Sequence, residues 1–89
     1  MRYSVDWLPA AEEELASLWL NAPDRNAITR AAHAIDLRLQ DEPEEAGESR
    51  PDGRRIVFAP PLGVIFRVIP GGRLVQVVHV WQFGTRGQR

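Results

Sequence analysis

The first residues of the chain alternate: Tyr3, Val5 and Trp7 are separated by Ser4 and Asp6, the period of a strand with one covered face. The period then lengthens. Pro9 suits the first turn of a helix, Glu12, Glu13 and Glu14 lie near its positive end, and Leu8, Ala11, Leu15, Leu18 and Trp19 fall on one stripe at helical spacing until Asn21 to Pro23 close the segment. Asp24 is placed to cap a second helix, on which Ile28, Ala31, Ala32, Ile35 and Leu39 share a face and Pro43 sets the limit. The two helices form an αα-hairpin. Leu20 and Leu37 point away from these stripes, which makes them candidates for contact with a partner, or for helix-to-helix contact.

Residues 42–55 have loop composition throughout, with Pro43, Gly47, Pro51 and Gly53. Three strands follow, over 55–59, 64–69 and 74–83, joined by "APPLG" and "PGG". In the middle one, Val64, Phe66 and Val68 oppose Ile65 and Arg67. In the last, Val75, Val77, His79, Trp81 and Phe83 alternate with Leu74, Gln76, Val78, Val80 and Gln82, and both rows are largely apolar, as in a strand covered on both sides. The pattern predicts an α+β domain of order β-α-α-β-β-β over residues 1–89: a helical hairpin on one face of a mainly antiparallel four-stranded sheet. Its other face is left for solvent or a partner, and alternation puts Arg67 there.

Charge changes that picture more than composition does. The net charge is −1, yet residues 1–48 carry four arginines against eleven carboxylates, a balance of −7, and residues 49–89 carry seven arginines against Asp52 alone, a balance of +6. All eleven basic residues are arginine, whose planar guanidinium suits phosphate. Two differently charged faces are expected, the positive one able to meet a polyanion. With no cysteine there is no disulfide, thiolate metal site or cysteine nucleophile, and no apolar run has secretory or membrane-spanning length, so a cytoplasmic protein with no membrane partner is expected. No metal-ligand cluster, glycine-rich phosphate loop or nucleophile–base pair appears, and no metal or other cofactor is expected.

The strand-to-helix start "YSVDWLPAAEEELASLW" and the ending "GRRIVF" with "LGVIFRVIPGGRLVQVVHVW" resemble, over nearly the whole chain, the RelE/ParE superfamily of toxins from bacterial type II toxin–antitoxin systems. The resemblance implies a small cytoplasmic toxin neutralised by an antitoxin whose C-terminal segment wraps it. It also implies one of two activities. ParE-like members poison DNA gyrase. RelE-like members enter the ribosome and cleave messenger RNA with basic residues on the exposed sheet face and a C-terminal aromatic or histidine.

On this sequence the nuclease set matches only in part. Arg54 and Arg55 lie where the family often places basic residues, and Arg67 lies on the exposed side of the next strand. The arginine that commonly precedes that strand is replaced by Gly63, the terminal tyrosine is missing, and the histidine is displaced to His79. Cleavage by the 2′-hydroxyl needs a proton acceptor as well as cations, and arginine is too basic to supply one. Arg55, Arg67 and His79 are therefore the catalytic candidates, although a lone histidine in an apolar row, as His79 is, reads first as a hydrogen-bonded core residue. Trp7, Trp19 and Trp81 also fall in apolar rows and are expected in the core. Arg50, Arg54, Arg55, Arg67, Arg73 and Arg86 are the candidates for binding target or phosphate, and Arg54, Arg55 and Arg67 are expected to line one concave surface. The modest net charge favours a protein target such as gyrase over the ribosome. A ribosome-dependent endoribonuclease and an inactive module that only binds a partner are the alternatives.

Overall fold

A computed structural model describes residues 2–83, the side chain at position 70 excepted. The elements follow in the order β1 (Ser4–Trp7), α1 (Pro9–Asn21), α2 (Arg25–Asp41), β2 (Glu48–Ser49), β3 (Arg55–Ala59), β4 (Leu62–Ile69) and β5 (Leu74–Gln82), with a 3₁₀ turn at Pro70–Gly72. Both helices begin as the sequence dictates. Pro9 opens α1, where its missing N–H costs nothing, and the Asp24 carboxylate accepts the Ala27 N–H of α2 at 3.2 Å.

The sheet runs β1-β5-β4-β3-β2. β1 lies parallel to β5, and every other pair is antiparallel. A fifth strand therefore joins the expected four. Glu48 and Ser49 pair with Ile56 and Arg55 because Gly47, at φ +65°, turns the chain back toward β3. Two exposed polar residues carry no hydrophobic period, so this strand has no signature in the sequence.

Both helices pack on one face of the sheet. Ile28, Ala31, Ile35 and Leu39 of α2 and Ala11 of α1 close over Val57, Leu62, Val64, Phe66, Val75, Val77 and Val80, all buried. Burying a side chain the size of Phe66 or Leu62 is worth about 1.5–3 kcal/mol, so this single layer holds the domain. Of the three tryptophans expected in it, only Trp7 packs against this layer. Trp7 and Trp81 are half-buried, and Trp19 is exposed.

One irregularity decides which side of the sheet the C-terminal residues face. Along β4 and β5, Ile65 pairs with His79 but Phe66 pairs with Val77, which leaves Val78 as an extra residue in β5. Inward positions are Val75 and Val77 before the bulge and Val80 after it. His79 and Trp81, which strict alternation puts in the row of Val77, stand instead with Ile65 and Gly63 on the face away from the helices.

Gly47 gives a direct test of the β2–β3 turn. A Cβ there falls 1.8 Å from the Ile56 carbonyl oxygen, while at Gly53, φ +82°, nothing lies within 4 Å. In urea unfolding, Gly53→Ala is expected to cost about 1–2 kcal/mol for the left-handed backbone alone, and Gly47→Ala clearly more, because β2 must lift off β3.

Candidate functional site

The face of the sheet away from the helices is built by three strands. β3 contributes Ile56 and Phe58, β4 contributes Gly63, Ile65, Arg67 and Ile69, and β5 contributes Leu74, Gln76, His79 and Trp81, each opposite its neighbour in the register. Phe58 is 51% and Ile69 38% exposed, so the surface is apolar and open where a cationic one was expected. Its floor is Gly63. A Cβ at that position meets the Trp81 ring at 2.8 Å and Phe58 at 3.0 Å, so only glycine lets the two rings lie over the strand. Phe58 then packs edge-to-face on Trp81, centroids 6.1 Å apart at 88°, and on Phe83 at 5.1 Å and 71°.

The arginines do not converge there. Arg67 stands on this face, and its Nε–H donates to Gln76 Oε1 at 2.9 Å. Arg55 pairs with Phe66, so alternation turns it to the other side, where its guanidinium donates to the carbonyls of Ala46 (3.0 Å) and Gly47 (3.3 Å). It braces the turn from α2 into β2. Arg54 lies 3.7 Å from the Asp52 carboxylate and Arg50 3.9 Å from that of Glu48, exposed pairs worth little by themselves. Arg50, Arg54 and Arg55 gather around a shallow depression of about 340 Å³ that also includes Val68, a position on the helix side of β4. The expectation that Arg54, Arg55 and Arg67 line one surface is therefore corrected: antiparallel register separates Arg55 from Arg67 by one residue step and one face. Arg73, at φ +49°, is exposed in the turn before β5, and its carbonyl accepts the Ser4 N–H at 2.9 Å. Arg86 lies outside the described residues.

His79 differs most from its sequence reading. Its side chain is 48% exposed, not enclosed in the core, because the bulge at Val78 rotates it outward. Past Trp7, β1 no longer covers the edge of β5, and Glu14 of α1 takes its place. One Glu14 oxygen accepts the Val80 N–H at 3.0 Å, and the other lies 3.2 Å from His79 Nδ1. An ionised carboxylate only accepts, so this contact suits the tautomer that carries its proton on Nδ1. Arg67 is two residues along β4 from Ile65, the cross-strand partner of His79, which makes the two side chains diagonal neighbours. Sequence reasoning saw Glu14 only as an acid near a helix N-terminus. No periodicity pairs it with a strand 65 residues away.

Leu20 and Leu37 are both exposed but on different surfaces: Leu20 beside Trp19 in the groove between the helices, Leu37 in a depression with Arg38, Asp41 and Glu45. Among the described residues no cluster of three metal-ligating side chains occurs, and no helix is long and apolar enough to cross a membrane.

Glu14 has two jobs of unequal weight. Glu14→Ala strands the Val80 N–H and is expected to cost about 1–2 kcal/mol, whereas His79→Ala removes one exposed contact and costs about 0.2–1 kcal/mol. A double-mutant cycle in urea checks this; equal losses contradict it.

No family model matches the sequence, and no curated protein matches it. Solved structures do. A chain of the RelBE2 toxin–antitoxin complex of Mycobacterium tuberculosis superimposes with a TM-score of 0.78 at 16% identity over 93% of both chains. A chromosomal ParDE toxin–antitoxin chain of P. aeruginosa gives 0.65 at 20% identity, over 92% of this chain and 97% of that one. The free E. coli toxin RelE, a double arginine-to-alanine mutant, gives 0.72 at 17%, over 92% and 84%. The likeness extends over nearly the full length, and the chain has the RelE/ParE toxin fold.

Proposed function

We propose that this protein is the toxin of a type II toxin–antitoxin pair, held inactive by a cognate antitoxin. On release it inhibits growth by docking the open face of its sheet on an essential protein, with DNA gyrase the target that the ParE side of the fold suggests. The composition of that face carries the reading. Trp81 is pinned over Gly63 by Phe58, apolar side chains surround it, and one arginine stands among them. Tryptophan and arginine within an apolar patch are the make-up of a protein-binding hot spot. A surface that embeds in RNA needs several free cations, and here Arg55 is spent on backbone carbonyls while Arg50 and Arg54 lie at another depression. The ParDE and RelBE2 neighbours are toxin–antitoxin systems, which supports the toxin role and the antitoxin partner.

One observation favours a second reading, cleavage of messenger RNA. His79 is exposed, oriented by Glu14 and diagonal to Arg67. In that chemistry Nε2 takes the proton of a 2′-hydroxyl, the 2′-oxygen bonds to phosphorus, and Arg67 balances the charge of the phosphorane. The 5′-oxygen then leaves, carrying a proton from water or a second acid. Arg67 would have to give up Gln76 to do this, and no second proton donor stands beside it among the described residues.

Induction in cells, with plasmid supercoiling and transcript integrity followed together, separates the readings. The expected result is growth arrest with altered supercoiling and intact transcripts, relieved by Phe58→Ser and retained by His79→Ala. Cleaved transcripts, with relief by His79→Ala, replace the first reading by the second; no arrest removes both and leaves a binding module.

A further inference from the structure

Arg67 is exposed on the open face of the sheet and held at one nitrogen only. Its Nε–H donates to Gln76 Oε1 at 2.9 Å, and its two Nη groups have neither a hydrogen-bond nor a carboxylate partner among the described residues. A guanidinium fixed in this way presents its remaining donors to a carboxylate with little further loss of entropy. His79, the other titratable side chain that β3, β4 and β5 place on this face, already lies 3.2 Å from Glu14. Further charges stand on the edge strands. Asp6 of β1 is opposite Gln76, and Glu48 of β2 is opposite Ile56, where it lies 3.9 Å from Arg50. Each edge strand is two strand spacings from β4, about 10 Å, a distance over which salt largely screens an exposed charge.

The face therefore has two fixed features. One is the Trp81 ring, lying over Gly63 against Phe58. The other is Arg67, on the same strand as Gly63 and about 13 Å from it at the rise of a β-strand. The strip from β3 to β5 that joins them is about 10 Å wide, the diameter of one α-helix. We propose that the partner docks here through a helix lying along β4, which sets an apolar side chain against Trp81 and Phe58 and, about two turns away, a carboxylate on Arg67. This assignment rests on the toxin reading for the partner's identity as the target, and it deepens that reading by naming the chemistry that the docking face recognises. Gln76 is then a positioning residue, which aims the guanidinium without touching the partner. Nucleic acid is disfavoured, because Asp6, Glu14 and Glu48 border the strip that holds Arg67.

Three synthetic helical peptides test this, sharing one leucine stripe and carrying glutamate, glutamine or lysine about two turns from its first leucine. Backbone amide shifts of the protein read both affinity and location. The glutamate peptide is expected to bind at least about fivefold more tightly than the lysine peptide, with shifts at Gly63 and Ile65 and a gap that narrows as salt is raised. Arg67→Glu is expected to reverse the order of the two, and Gln76→Leu to narrow the gap without reversing it. Phe58→Ser weakens all three peptides, and Leu20→Glu, between the helices, leaves them unchanged. An order that survives Arg67→Glu overturns the proposal, as do shifts confined to α1 and α2, or no binding by any peptide. A concentration-dependent dimer lost in Phe58→Ser also overturns it, in favour of a second copy. Growth arrest with altered supercoiling beside an unreversed order sinks this assignment alone, and a reversed order without arrest sinks the toxin reading alone.

Discussion

The pairing of β4 with β5 is the constraint on which the rest of this structure depends. Side chains alternate along a strand with a period of two, so one extra residue exchanges the faces of everything beyond it. The extra residue is Val78. It lets Val75, Val77 and Val80 all reach the helices, and it sends His79 and Trp81 outward in the same stroke. Glu14 is matched to that change. It accepts the Val80 N–H on an edge that β1 has ceased to cover and steadies the imidazole turned out beside it.

From this follow two surfaces of different chemistry on opposite sides of one thin core. The sheet face is apolar and aromatic, organised by the missing side chain at Gly63 and marked by Arg67. The helix side carries a groove with apolar walls, where Asp6, Glu12 and Asp36 lie in the lining and Arg25 stacks over Trp19. Because the core between them is a single layer, an occupant of one does not of necessity cover the other.

Much of the fold was legible in the sequence for stated reasons. Two helices show as apolar stripes with Pro9 and Asp24 at their starts, and four of the five strands show as alternating or apolar runs, the last three between turn residues. Two features were not. β2 is two polar residues paired only because Gly47 bends the chain into place, and a bulge leaves no mark in a strand such as "LVQVVHVWQ", where both rows are apolar and either assignment of faces reads well. The site was less legible than the fold because it depends on that bulge. His79 and Trp81 were expected inside, and Arg55 was grouped with Arg67, although one residue step in β3 commits it to the carbonyls of Ala46 and Gly47. The sidedness of Arg67 was readable, since β4 is regular to either side of it.

Cross-strand nuclear Overhauser contacts between β4 and β5 test the central claim most directly. The account predicts contacts joining Ile65 to His79 and Phe66 to Val77, with Val78 passed over. An unbroken register, in which Phe66 meets Val78, would return His79 and Trp81 to the row of Val77 and contradict the sidedness on which the open sheet face rests.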